Sequence, residues 1–352
     1  MADRPGNLAR VAAVIVNYRT PDLTITALQS LSLARESNPS LKVVVVDGGS
    51  QDGSAEKLEG ALRSPQWMDW VTFLPLAING GFGWANNQAI LLLTQSSQPP
   101  EYVYLINPDA RIEATAIDVL AKVLDQDAQV AAVGSLLIND DGSPSGSAFR
   151  YPSPGREFIR GLRIGRIGKI LGIKPTLIMS ESPVEADWVT GASVMLRVSA
   201  LAEVGLFDSG FFLYFEEVEL MWRLRKAGWK VIHQPASRVH HIGGAATKMT
   251  YNKRDLRVAP PLPDYWFASR RRMFALTRGV LPTVAANILW LVGHSVFLSL
   301  RLMGFKGNVQ VNRAEGQSLL RHGAWPTEED RIARPTRLDG TMGTIPAWMD
   351  RR

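Results

Sequence analysis

The stretch Tyr102-Val103-Tyr104-Leu105-Ile106-Asn107-Pro108-Asp109 decides how this chain is read. An apolar run rich in β-formers ends abruptly at a carboxylate. Pro108 has no N–H to give to a ladder, so a central strand stops there. Asp109 is left at the carboxyl end of a buried strand, the rim at which open α/β sheets bind ligands. A hard anion there can hold a divalent cation, and the cation can hold a diphosphate. An ordinary Asx-Pro turn uses the same residues, so the motif gains meaning only from its neighbours.

Two segments point to the same rim. Residues 11–16 form a short, mostly β-branched run followed by Asn17-Tyr18-Arg19-Thr20-Pro21-Asp22, and residues 23–33 carry Leu23, Ala27, Leu28 and Leu31 on one helical face. Leu41-Lys42-Val43-Val44-Val45-Val46 is a second run, ending in Asp47-Gly48-Gly49-Ser50-Gln51-Asp52-Gly53-Ser54 before another helical pattern. Unbroken apolar runs fit strands covered on both faces, and strands alternating with helices predict a mostly parallel sheet flanked by helices. Three strands then deliver Val16, Asn17 and Tyr18, Asp47, and Asp109 to one edge.

With 352 residues the chain can bury a large core. It has no cysteine, which excludes disulfides, thiolate zinc sites and cysteine nucleophiles. Its net charge of +6 suits anionic lipid or phosphorylated substrates; with no nucleic-acid motif beside it, no nucleic-acid partner is expected. The first ten residues are polar, with no apolar signal segment, which predicts cytoplasmic residence.

The second half carries a different signal. Phe211-Phe212-Leu213-Tyr214-Phe215 precedes Glu216, Glu217 and Glu219, and a helical pattern runs on to Gly228. Acids in a first helical turn are favoured by the helix dipole alone. An apolar wall also raises a carboxylate's pKa and makes it a usable base, and Glu217 is the candidate. Residues 150–174 mix Arg156, Arg160, Arg163, Arg166, Lys169 and Lys174 with apolar residues and the glycines at 161, 165, 168 and 172, which predicts a mobile basic loop. That loop is either a solvated excursion or one ordered by a membrane or acceptor. Residues 145–155 and 175–186 read as linkers, and 187–197 as a strand in which Gly191 and Ala192 allow close backbone approach. Tyr265, Trp266 and Phe267 beside Arg270, Arg271 and Arg272 suit a bilayer interface. Residues 281–303 are long enough to span a membrane, but Asn287, Gly293, His294 and several serines favour an interfacial or core-packed helix. The tail from Pro326 is either mobile or wrapped around the domain.

Five blocks in order resemble glycosyltransferase family 2, of GT-A fold, in the branch of bacterial rhamnosyltransferases. They are Val14-Ile15-Val16-Asn17-Tyr18, Val46-Asp47-Gly48-Gly49-Ser50-Gln51-Asp52-Gly53-Ser54, Asn79-Gly80-Gly81-Phe82-Gly83-Trp84-Ala85-Asn86-Asn87, Leu105-Ile106-Asn107-Pro108-Asp109, and the segment from Phe211 to Leu220. The resemblance implies a nucleotide-diphospho-sugar transferase fold: a GT-A domain over 1–260, with a nucleotide-binding half at about 11–140 and an acceptor half at about 141–260. A helical, membrane-associating extension over 261–325 and a tail over 326–352 follow.

It further implies an inverting transferase using a dTDP- or UDP-linked sugar, rhamnose among the candidates, and a glycan or lipid-linked glycan acceptor. Such an enzyme would sit peripherally on the inner leaflet of the cytoplasmic membrane. Asp47 would hold the pyrimidine or ribose with Val16, Asn17 and Tyr18 beside it. Gly81, Phe82, Asn87, Asn107, Gly191 and Ala192 would line the donor. Asp109 and His241, from His240-His241-Ile242-Gly243-Gly244-Ala245-Ala246-Thr247-Lys248, would place Mg²⁺ or Mn²⁺, and Glu217 would be the base. Four positions depart from the pattern: Gly48 replaces an Asn, Asn107 an Asp, and Glu217 and Glu219 each replace an Asp. A nucleotidyltransferase would want a basic Gly-rich loop after the first strand, and a dinucleotide oxidoreductase G-x-G-x-x-G there; neither run is present. A non-catalytic glycan- or membrane-binding protein could keep the same fold.

Overall fold

The structure is a computed structural model that describes residues 10–243, 258–259, 261–304, 311–312 and 314–349. The three apolar runs become neighbouring strands. β1 (Val11–Asn17), β2 (Lys42–Asp47), β3 (Val71–Pro75) and β4 (Tyr102–Ile106) are all parallel, in the order β3-β2-β1-β4. Their connections carry α1 (Pro21–Ser37), α2 (Ser54–Leu62), α3 (Pro65–Met68) and α4 (Phe82–Thr94). The runs are apolar throughout because both faces are covered. Ala13, Ile15, Val43, Val45 and Tyr104 pack with Leu28, Leu31 and Leu120; Val14, Val44, Val46, Val103 and Leu105 pack with Trp84, Ile90 and Leu224.

Past β4 the sheet becomes mixed. β5 (Ala110–Ile112), α5 (Ala116–Gln126), β6 (Val130–Ile138), β7 (Ala148–Phe149), α6 (Pro154–Leu162), α7 (Gly165–Ile170), β8 (Leu177–Ile178), β9 (Val184–Glu185), β10 (Trp188–Val189), β11 (Ser193–Arg197) and α8 (Val198–Val204) follow. Then come α9 (Glu216–Lys226), β12 (Lys230–His241), β13 (Val258–Ala259), α10 (Asp264–Arg278), α11 (Val280–Leu302), β14 (Val311–Asn312) and α12 (Glu315–Ser318). The nine-stranded sheet runs β3-β2-β1-β4-β11-β6-β12-β5, with β9 added to β12. β11 is antiparallel to both β4 and β6, and β5 antiparallel to β12.

Three expectations are corrected here. Residues 145–155 and 175–186 are not linkers: β7 pairs with β8 and β10 in a small sheet, and β9 joins the large one. Residues 150–174 are not a mobile loop, because α6 and α7 lie within them. Among their glycines, Gly161 serves helix packing. A Cβ at Gly161 would lie 2.2 Å from the Trp290 carbonyl oxygen, and one at Gly293 2.4 Å from that of Phe158, so α6 and α11 meet backbone to backbone.

Nor do Arg270, Arg271 and Arg272 face a bilayer. Arg270 is buried on Glu157 (2.8 Å) and Asn287 (2.6 Å), Arg272 on Asp208 (2.7 Å), and Arg271 is paired with Asp330 (2.6 Å). A buried charge must be paired, and these acids come from helices, loop and tail far away in sequence. Trp266 packs between Phe215 and Phe267. Val280–Leu302 is long and apolar enough to cross a membrane by length and composition. The tail wraps the domain: Leu206 N–H donates to Thr336, Gly343 N–H to Gln88, and the Trp84 and Trp348 indoles to Thr344 and Gly80.

Candidate active site

At the end of β4 the chain makes a tight turn. Asn107 N–H donates to the Ala192 carbonyl (3.0 Å), and Ala110 N–H to the Asn107 carbonyl (3.1 Å). β5 then pairs with β12 in a register that sets His241 opposite Ala110. The result is a juxtaposition of residues 132 positions apart: His241 Nε2 lies 3.2 Å from Asp109 Oδ1 and 3.3 Å from the Asn107 amide nitrogen. Asp109 is buried and His241 half-buried. Two donors on adjacent corners of one octahedral ion sit about 3.0 Å apart when each bond is about 2.1 Å, so the Asp109–His241 spacing fits a shared cation. No group of three His, Cys, Asp or Glu gathers among the described residues. A cation here would take two protein donors and complete its shell with oxygens of a ligand, the habit of Mg²⁺ and Mn²⁺ on diphosphates. The part of this block from Gly244 to Lys248 lies outside the described residues.

On the next strands inward, β1 and β2 pair so that Asn17 faces Asp47. Asn17 is wholly buried. Its amide donates to Asp47 Oδ1 (2.7 Å), and its oxygen accepts from Thr20 N–H and the Thr24 hydroxyl (both 3.1 Å). Expected among the donor ligands, it has its side-chain amide engaged on Asp47, Thr20 and Thr24. Asp47 also accepts from Ser50 N–H (3.0 Å) and the Ser50 hydroxyl (2.7 Å), so its carboxylate is rigidly aimed. Gly48 suits this turn, since a Cβ there would press on the Asn17 carbonyl at 3.2 Å. Val16 and Tyr18 stay partly exposed at the rim, with the Arg19 guanidinium 5.0 Å above the Tyr18 ring.

Gly81, Phe82 and Gly191 form a joint. Gly81 has φ +90°, and a Cβ on it would sit 1.8 Å from the Phe212 carbonyl oxygen; one on Gly191 would touch the Phe82 ring at 3.1 Å. Through them the start of α4, the turn before β11 and the loop before α9 come together. Ala192 is fixed by the Asn107 bond already described. Asn87, expected to line the donor, is bonded within the protein. It is buried, donates to the Phe207 carbonyl (2.8 Å) and Thr336 (2.9 Å), and accepts from Phe207 N–H (3.1 Å). It ties loop and tail to α4.

The loop before α9 is strained. Tyr214 (φ +71°) and Phe215 (φ +68°) are successive left-handed residues with side chains, a conformation retained only where its surroundings impose it. It turns Glu216 and Glu217 into the first turn of α9. Glu219 is committed to Arg223 (2.8 Å), which also holds the carbonyls of Val204, Gly205 and Leu206. Glu216 packs its Cγ on Gly83, and one buried oxygen of each of Glu216 and Glu217 has no hydrogen-bond partner. Burial pushes Glu217 up to about 7, and burial together with the Glu217 charge pushes Glu216 well above the usual carboxylate range. The helix dipole acts the other way and loses to desolvation. Burial favours the neutral form of both carboxyls, and Glu217 ionises near neutrality. A carboxylate that ionises near neutrality can accept a proton at physiological pH.

Two aromatic residues beside this segment escaped sequence reasoning. Tyr265 stands edge-on to Phe212 (5.2 Å) and stacked with Tyr214 (6.1 Å), and Trp348 from the tail lies 4.7 Å from Phe212. Tyr265 had been read only as part of an interfacial cluster, and nothing local marks Trp348. Asp208, between Phe207 and Phe211, carried a weak signal as an acid among apolar residues; it anchors Arg272 and Arg334 N–H.

The family model of glycosyl transferase family 2 matches residues 13–186. N-acetylglucosaminyl-diphospho-decaprenol L-rhamnosyltransferase of Mycobacterium tuberculosis is 34% identical over 228 residues, 61% of this chain and 70% of that protein. Rhamnosyltransferase WbbL of Escherichia coli is 27% identical over 181 residues, 49% of this chain and 65% of that protein. Among solved structures, the mannosyltransferase PcManGT from Pyrobaculum calidifontis, in complex with GDP-Man and Mn²⁺, matches with a TM-score of 0.50 at 16% identity, covering 85% of this chain and 77% of that one. It has the expected GT-A fold: a central sheet flanked by helices, here with a C-terminal helical extension. With a relative one-third identical over more than two thirds of that relative's length, and the family model matched across the parallel half of the sheet, this chain belongs to glycosyl transferase family 2.

Proposed function

We propose that this glycosyltransferase is an inverting, rhamnosyltransferase-like enzyme. It would move a sugar from a dTDP- or UDP-linked donor to a hydroxyl of a lipid-linked glycan at the cytoplasmic face of a membrane, during cell-surface polysaccharide synthesis. The observation that carries the reading is Glu217: a half-buried carboxylate held by a strained turn, with a pKa of about 7. The relatives named as rhamnosyltransferases support the sugar, and the decaprenol-linked substrate in one name supports the acceptor class.

In this reading residues 11–140 bind the nucleotide and 141–260 the acceptor. Asp47, aimed by Asn17 and Ser50, accepts a hydrogen bond from the nucleoside, with Tyr18 beside the base. Asp109 and His241 would hold Mg²⁺ or Mn²⁺, with Asn107 alongside. When bound, that cation supplies positive charge against the diphosphate leaving group. Glu217 takes the proton of the acceptor hydroxyl as its oxygen bonds to the anomeric carbon; the bond from that carbon to the diphosphate breaks, and nucleoside diphosphate leaves. Burial beside Glu217 disfavours a second negative charge on Glu216. Phe212, Tyr214 and Tyr265, packed on one another in and beside the loop before α9, would limit water around the site.

The test is a panel of nucleotide sugars read by thermal shift and by nucleoside diphosphate release. Selective stabilisation by one pyrimidine-linked donor, with slow hydrolysis of that donor, is expected. Binding without any release, in the presence of Mg²⁺ or Mn²⁺ and lipid-linked acceptor, would favour a non-catalytic protein.

A further inference from the structure

The helix α11 is apolar on both sides but buried on only one. At about 100° per residue, Thr283, Ala286, Asn287, Trp290, Gly293 and Phe297 share the face packed on α6 and α10. The opposite face carries Leu281, Ile288, Val292, Val296 and Leu302, with Ser295 and Ser299 between them. Leu281 is 83% exposed, Ile288 54% and Leu302 90%. A helix apolar all round that leaves one face bare has a missing neighbour.

The segments beside that helix say what the neighbour is. α7 begins three residues after α6 ends, and Arg163 between them lies over the Phe297 ring at 5.7 Å, so α7 emerges beside the second half of α11. It exposes Ile170 (82%) and Leu171, together with Arg166 and Lys169. After α12 the chain runs along α11, where Asn287 donates to the carbonyls of Gly323 and Ala324, and there Leu320, Arg321 and Trp325 are exposed. Residues 158–180, 280–304 and 316–327 contain no Asp or Glu, while Arg166, Lys169, Lys174, Arg301 and Arg321 are all exposed. Apolar side chains ringed by unopposed cations, with an exposed tryptophan, match the interface of an anionic bilayer.

We infer that the outer face of α11, with α7 and the segment around Trp325, docks this enzyme on an anionic membrane, α11 lying in the plane of the interface. The inference rests on the reading of a lipid-linked acceptor. α11 does not span: crossing would strip it from α6, where Gly161 and Gly293 bring the two backbones together, and would expose Asn287 and its bonds.

The test is flotation of the full chain with acceptor-free vesicles of phosphatidylglycerol and phosphatidylcholine, and with phosphatidylcholine alone. Binding to the anionic vesicles is expected at low salt, and release by salt or by carbonate. Ile288→Asp with Val292→Asp should lower the bound fraction roughly tenfold or more. Arg166→Gln, Lys169→Gln and Lys174→Gln together should abolish the preference for anionic lipid. These positions are exposed, so thermal unfolding of the variants should match that of the parent. No flotation, retention after carbonate, unchanged binding of both variants, or a dimer in solution that Ile288→Asp dissociates would each overturn the proposal. Because the vesicles hold no acceptor, docking can fail while nucleoside diphosphate release succeeds, and the reverse, which separates this inference from the catalytic reading.

Discussion

Replacing Glu217 by Gln removes a charge that the folded chain holds against desolvation. The carboxyl ionises near its ordinary value of 4.5 in the unfolded chain and at about 7 when folded. Below pH 4.5 it is protonated in both states and contributes nothing. Between 4.5 and 7 the folded state binds more protons than the unfolded one, so stability falls as pH rises, and above 7 the full cost is present. At about 1.4 kcal/mol per tenfold step in acidity, the gap amounts to ~3 kcal/mol. Gln leaves its own amide in the same dry position, so we expect a net gain of ~1–2 kcal/mol at pH 8 and none at pH 4. Activity should move the other way. Loss of a positioned base costs about 10²–10⁴-fold in turnover, with donor affinity little changed. The parent's kcat/KM should rise with pH through about 7, and that limb should vanish in Glu217→Gln. Nucleoside diphosphate release and urea unfolding at the two pH values read both effects. A variant less stable at pH 8, or equally shifted at pH 4, would show that Glu217 is not desolvated. Near-normal turnover in Glu217→Gln, with loss in Glu216→Gln, would move the base by one residue.

Asp109→Asn should abolish the dependence of nucleoside diphosphate binding on Mg²⁺ or Mn²⁺ in calorimetry, with the fold retained; equal affinity of the parent with and without EDTA would refute the cation role. Arg272→Ala leaves Asp208 charged and buried and should cost about 3–5 kcal/mol in urea unfolding, whereas Arg272→Met with Asp208→Asn should cost much less. Gly293→Val drives a side chain into the Phe158 carbonyl and should lower stability by about 1–3 kcal/mol or more, while Gly165→Ala, which meets nothing within 4 Å, should be neutral or slightly stabilising.

The parallel half of the sheet and the edge that gathers Asp47 and Asp109 were legible in the residues alone. Val43, Val44, Val45 and Val46 leave no polar face, which only a strand covered on both sides tolerates, and Pro108 ends its strand by a local rule. That is why Asp47 and Asp109 could be placed at one rim without knowing what packs on the sheet. Glu217 was legible as a carboxylate after an aromatic cluster, but its titration near 7 depends on burial that only the packed loop supplies. Where the reading went astray, a polar or small residue found a partner far along the chain. Gly161 closes a helix contact with Gly293 instead of breaking its helix. Arg270 and Arg272 look like surface cations until Glu157 and Asp208 arrive from 113 and 64 residues away. Hydrophobic periodicity and chain-breaking residues act over a few positions, so the sequence carries them openly. Whether a charge meets lipid, a ligand or an opposite charge is settled by contacts across a hundred residues, and those exist only once the chain has folded.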